Sequence, residues 1–192
     1  MNNITINAEK QATTKAILDR LKKNFEVSDI VECKPGLTTL SVNKDKAETM
    51  IRELRDRETY THLNFMTCTD YIEKNILRLT YMLHNYESKH SLAIHVDINR
   101  DQAEMTSIHR LWGQAWTYQR ELREMYGIHF PDSPRLEEDF CLEGWDQMPP
   151  MRRDFNTAQY SHQTFGHREG RVSENPRQHM KINLYPNRGG DE

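Results

Sequence analysis

Two stretches of this chain alternate with period two. In "NILRLTYMLHN" Leu77, Leu79, Tyr81 and Leu83 interleave with Arg78, Thr80 and His84, and in "LAIHVDI" Leu92, Ile94, Val96 and Ile98 interleave with polar neighbours. Successive side chains of a strand point to opposite faces, so each stretch makes a ribbon that is apolar on one side only. The polar segment "YESKHS" between them suits a hairpin. A hairpin with one apolar face is marginal in water and needs further strands and a covering layer. The remainder of the chain has to supply both.

It carries the pattern to do so. Ile17, Leu18, Leu21 and Phe25 recur at helical spacing within residues 8–25, and Ala47, Met50, Ile51 and Leu54 do so in "NKDKAETMIRELRDR", where Asn43 or Asp45 is placed to cap. "EVSDIVEC" and "LTTLSV" are short β-rich runs on either side of the turn signal Lys34-Pro35-Gly36, and "HLNFMTCTDY" alternates through Leu63, Phe65 and Thr67. The order helix, two strands, helix, three strands, helix predicts an α+β fold: an antiparallel-rich sheet with helices packed on one face, formed by residues 1–130.

On the third helix, Ile108, Leu111, Trp112, Ala115, Trp116, Tyr118, Leu122, Met125 and Tyr126 share about half the circumference at 100° per residue. Gln119 lies within that apolar half, so its amide should be buried and partnered. Arg120, Glu121 and Glu124 fall on the polar half, where an Arg120–Glu124 pair is expected, and Gly127 stops the helix.

Beyond Gly127 all periodicity is lost. Six of the seven prolines follow residue 130, and residues 131–146 carry six acids against one base. This predicts a long extended, Pro-rich C-terminal arm, residues 131–192, whose scattered aromatics suit docking on partner proteins rather than solvation. Such an arm is expected to be protease-sensitive until a partner binds.

The composition narrows the function classes. A net charge of −3 gives no basic excess for nucleic acid. No window is apolar enough for a membrane span, and the start offers no apolar stretch for a signal peptide, so a cytosolic location is expected. Cys33, Cys68 and Cys141 are widely spaced, without a CxxC pair, and read as idle thiols; nucleotide-loop, nucleophile-elbow and zincin motifs are missing. His84, His90 and His95 lie in or beside strands and are expected to face solvent.

Ala115-Trp116 through "QRELREMYGIHF", then "SPRL", then "PPMRRDF" resembles the ordered signature of the 30-kDa (NuoC-like) family of accessory proteins in NADH:quinone oxidoreductase (complex I) and related membrane-bound nickel–iron hydrogenases. The family pattern runs W-x-E-R-E-x-x-D-M-F/Y-G-I-x-F, then G-H-P-x-L, then P-L-R-K-D-F/Y. Here Gln119 stands for its first glutamate, Glu124 for its aspartate, and Asp132-Ser133-Pro134 for Gly-His-Pro.

The resemblance implies an accessory subunit that holds no cofactor and docks the large catalytic subunit (49-kDa or hydrogenase-large-subunit-like) beside iron–sulfur subunits. Iron–sulfur clusters, with a nickel–iron centre or a flavin as further candidates, would then sit in those partners, at the cytoplasmic side of the membrane. Its partner-binding residues would be Gln119, Arg120, Glu121, Glu124, Tyr126, Gly127, Phe130, Pro134, Pro150, Arg152, Arg153, Asp154 and Phe155. The alternatives are a stand-alone enzyme using Glu121, Glu124, Arg152 and Arg153 on a small anionic substrate, and an adaptor unrelated to electron transfer.

Overall fold

The computed structural model describes residues 2–166, with side chains from Thr14 onward, so the end of the expected arm lies outside the described residues. The elements follow in the order α1 (Asn2–Phe25), β1 (Ser28–Lys34), β2 (Leu37–Ser41), α2 (Lys44–Arg57), β3 (His62–Tyr71), β4 (Ile76–Asn85), β5 (His90–Asn99), α3 (Ala115–Tyr126) and α4 (Thr157–Phe165). The five strands make one sheet in the order β1-β2-β5-β4-β3. Every neighbouring pair is antiparallel except β2 with β5. The fold is α+β, as the alternation predicts.

One face of the sheet carries the core. Leu77, Leu79, Tyr81 and Leu83 of β4 lie opposite Ile98, Val96, Ile94 and Leu92 of β5, all buried. Ile17, Leu21 and Phe25 of α1 and Ala47, Met50, Ile51 and Leu54 of α2 join that core, as do Ile108, Ala115, Leu122, Ile128 and Phe130 in and around α3. Asn43 caps α2 by accepting the Asp45 N–H at 3.1 Å. The other face is a cross-strand polar ladder in register: Arg78 donates to Asp97 at 2.6 and 2.8 Å, Thr80 meets His95 at 2.9 Å and His84 meets Ser91 at 2.9 Å.

Two details depart from simple alternation. The β3–β4 register shifts between Leu63 and Phe65, which leaves Phe65 39% exposed and turns Met66, Cys68 and Asp70 to the core. His90, expected to face solvent, is buried instead: Thr38 Oγ1 lies 3.0 Å from Nε2 and the Tyr60 hydroxyl 2.8 Å from Nδ1. Burial pulls the His90 imidazole below its ordinary pKa, because the charged ring would lose its hydration there.

The outer edge of β3 is not left open. Trp112 Nε1 donates to Thr61 O at 2.8 Å, Gln114 Nε2 to Leu63 O at 2.5 Å and the Tyr118 hydroxyl to Asn64 O at 3.0 Å. Side chains around the start of α3 thereby satisfy edge carbonyls that would otherwise invite another strand. The helical face inferred from Ile108 onward begins as turns, with the Leu111 and Trp112 N–H groups both donating to Ile108 O, and becomes α-helix only at Ala115.

The chain divides into two compact units, the first ending at Phe155 and the second starting at Asn156. Residues 131–155 belong to the first, sheet-bearing unit. The described part of the second unit is α4, capped by Asn156 Oδ1 accepting from the Gln159 N–H at 2.9 Å.

Candidate interaction site

The motif residues are organised around the end of α3. Gly127 adopts φ +74° and donates its N–H back to the Arg123 carbonyl, a left-handed cap that strains any residue bearing a Cβ. Space is tight as well: a Cβ there would lie 3.1 Å from Pro149 Cγ and 3.3 Å from Arg152 Nη2, so those side chains would have to give by a few tenths of an ångström. Ile128 and Phe130 follow, fully buried, and His129 between them donates its N–H to Ala103 O at 2.8 Å while its carbonyl accepts from the Met105 N–H at 2.9 Å.

Gln119 has no exposure, and its Oε1 accepts from Ser107 Oγ at 2.8 Å and Ser133 Oγ at 2.7 Å. Its Nε2 finds no partner among the described residues. The amide ties α3 to segments on either side of it. A carboxylate here would carry buried charge, so the glutamine replaces an ionic node by a neutral one.

On the polar half, Arg120 and Glu124 do not pair with one another as expected, because the following loop offers both of them backbone partners. Glu124 accepts the N–H groups of Phe140 at 2.7 Å, Cys141 at 3.0 Å and Leu142 at 3.1 Å, together with the Cys141 thiol at 3.3 Å. Burial pushes this carboxyl up, but those donors outweigh it and hold it below the usual range. Arg120 donates to the Glu138 and Asp139 carbonyls, and the Arg120 and Arg135 guanidinium groups both lie over the Trp116 ring, each 5.4 Å from its centre.

Residues 149–155 form a strap fastened back across α3 and the sheet ends. Arg152 donates from Nε to the Tyr126 carbonyl at 2.8 Å and from Nη2 to the Arg100 carbonyl at 3.1 Å. Arg100, just past β5, makes a buried two-toothed pair with Asp70 at 2.8 and 3.0 Å and reaches Asp154 at 2.5 Å. Asp70 also accepts the Arg153 N–H at 2.9 Å, and the Arg153 guanidinium meets Glu73 at 2.6 Å. Burial works against the Asp70 carboxylate, yet these donors keep its pKa low, and the Arg100 contact does the same for Asp154. Phe155 meets Trp145 edge to face, with ring centroids 5.6 Å apart.

Glu124, Arg152 and Arg153 are thereby held by separate partners within the chain. Between α3 and the loop lies a cleft of about 340 Å³ lined by Arg123, Glu124, His129, Glu137, Asp139 and Trp145 among others. Among the described residues no group of three His, Cys, Asp or Glu could hold a metal ion. Tyr126 at the end of α3 and Pro150 within the strap are half-buried, and Pro134 is exposed. Sequence reasoning passed over Asp70 and Arg100. The signal was there, since an aspartate on the core face of β3 needs a cation, but the bulge hid its phase.

The α+β fold is shared with known proteins. Residues 40–161 match the family model of the respiratory-chain NADH dehydrogenase 30 kDa subunit, and the chain belongs to that family. It is 27% identical over 138 residues to the C subunit of NADH-quinone oxidoreductase from Moorella thermoacetica, covering 72% of this chain and 90% of that protein. It is 30% identical over 118 residues to the C subunit of F420H2 dehydrogenase from Methanosarcina mazei, covering 59% and 72%. A chain in the membrane-bound sulfane sulfur reductase, an archaeal respiratory membrane complex, has the same fold, with TM-score 0.72 at 20% identity over 88% of this chain and 97% of that one. A trypsin-resistant fragment of Nqo5 matches with TM-score 0.53 at 15% identity, covering 64% and 98%.

Proposed function

We propose that this chain is a non-catalytic accessory subunit of the hydrophilic arm of a complex I-like respiratory oxidoreductase or a membrane-bound nickel–iron hydrogenase, where it docks the large catalytic subunit. The observation that carries this reading is the family match over residues 40–161, which runs through sheet, α3 and strap. Relatives named as the C subunits of two oxidoreductases support a place in a multi-subunit assembly. The docking face is assigned to the polar side of α3 with residues 131–155.

In this reading the iron–sulfur clusters, and any nickel–iron centre or flavin, belong to the partners. Among the described residues no helix is long and apolar enough to cross a membrane, so attachment to the cytoplasmic side would run through the complex. Purification through a tag on this chain from its native membranes tests the proposal. Recovery in fixed stoichiometry with a hydrogenase-like large subunit and iron–sulfur proteins is expected. Recovery alone, with turnover of its own, would defeat it.

A further inference from the structure

An α-helix leaves the carbonyls of its last turn without partners inside the helix. At the end of α3 two of them are met from the strap: the Met151 N–H donates to Met125 O at 3.0 Å and Arg152 Nε to Tyr126 O at 2.8 Å. The Arg152 charge also lies at the negative end of the helix dipole. Its Nη2 reaches the Arg100 carbonyl at 3.1 Å, so one guanidinium staples the end of α3 to the residue just past β5. The start of α3 is held separately, by Gln114 and Tyr118 on carbonyls of β3. The strap is thus a tertiary cap on one end of this helix.

The strap's contacts are of a kind that can be undone without harm to the sheet. Among the described residues none after Leu136 belongs to the apolar core. Arg100, on which Asp154 closes, keeps both of its bonds to Asp70 when the strap leaves, and those two side chains are only 8% and 1% exposed. Release therefore strands no unpaired charge in the interior. The outer pair, Arg153 with Glu73, has side chains 53% and 63% exposed, so water can replace it. Within itself the strap is two successive turns, closed by the Arg152 N–H on Pro149 O at 3.1 Å and the Phe155 N–H on Arg152 O at 3.0 Å, which need nothing from the sheet. We propose that residues 149–155 are a releasable latch: they open together with the last turn of α3, as one unit, while the sheet stays folded, and the ionic contact of Asp154 with Arg100 sets how often they do so. The contacts fix where the strap lies and leave its release independent of the core.

Residue-resolved hydrogen exchange on the full-length chain tests this. The amides of Met151 and Arg153, bonded to Met125 O and Asp70, should share one level of protection with the amides of the last turn of α3, at least about tenfold below that of β4 and β5. Asp154→Asn and, as a second variant, Arg152→Gln should each speed exchange of both sets together about tenfold and leave β4 and β5 unchanged. Raising salt from about 50 mM to about 500 mM should speed both sets in the wild type and have less effect in Asp154→Asn. Strap amides as protected as those of β4 and β5 would overturn the latch, since the strap would then open only with the whole molecule. Variants that speed the strap amides but leave the end of α3 at its wild-type rate would overturn the cap, and variants that speed every amide alike would overturn the independence of the latch from the core.

Discussion

The β4–β5 hairpin and the strap at 149–155 are fastened to the same molecule by different forces. The hairpin is held by rows of buried Leu, Ile and Val side chains and a regular ladder. The strap is held by guanidinium and carboxylate groups reaching residues 70, 73, 100 and 126, with one backbone bond from the Met151 N–H to Met125 O at 3.0 Å. Apolar burial needs a periodic sequence, because one face must be filled repeatedly. Charged fastening needs only single residues at the right points. An aperiodic, proline-rich stretch can thus be as firmly placed as a strand.

The sharpest test of that contrast removes one anchor from each region. Asp70→Ala should cost about 3–5 kcal/mol, since it leaves Arg100 as a buried charge without its two-toothed partner. Leu79→Ala in the hairpin should cost about 2–5 kcal/mol through lost burial and a cavity. Urea unfolding of the two variants measures both. An Asp70→Ala loss below about 1 kcal/mol would mean that the strap's ionic anchor contributes little.

Gly127→Ala falls next, at roughly 1–2 kcal/mol for the left-handed backbone, with added strain where its Cβ meets Pro149. Its melting temperature should drop, and protease should cut first within 131–155 if the strap is what lifts.

Acid should separate the regions by pH. His90 and His95 have folded pKa values lowered by burial, so the unfolded chain binds their protons first, and sheet stability should begin to fall as pH drops below about 6.5. Asp70, Glu124 and Asp154 are also lowered, so their contribution is fully present above about pH 4 and lost as pH falls through their folded values. Chemical denaturation between about pH 7 and pH 3 should show two successive losses, and a flat profile from about pH 7 to pH 5 would remove the histidine part. The smallest effect is expected on the open sheet face: Arg78→Gln, which breaks the half-exposed pair with Asp97, should cost about 0.2–1 kcal/mol and less in high salt.

Much of the fold was legible in the residues. Leu77–Leu83 and Leu92–Ile98 dictated two strands and their inner face, Ala47–Leu54 a covering helix and Gly127 a stop, because burial of one face imposes a spacing that local sequence must obey. Gln119 was legible too, as a polar group at an apolar angle that must find partners. The motif residues could be named as a group from the sequence, but their partners could not. Whether Glu124 meets Arg120 or the N–H groups of 140–142, and whether Arg152 reaches outward or back to Tyr126, depends on where a distant loop lies once the chain has turned. The β3 bulge shows the same limit, since one extra residue moved Asp70 to the core face and left Phe65 outside. Sequence spacing determines what is buried along one element. Pairing between elements is decided only when tertiary structure brings donor and acceptor within about 3 Å, a distance that no local period encodes.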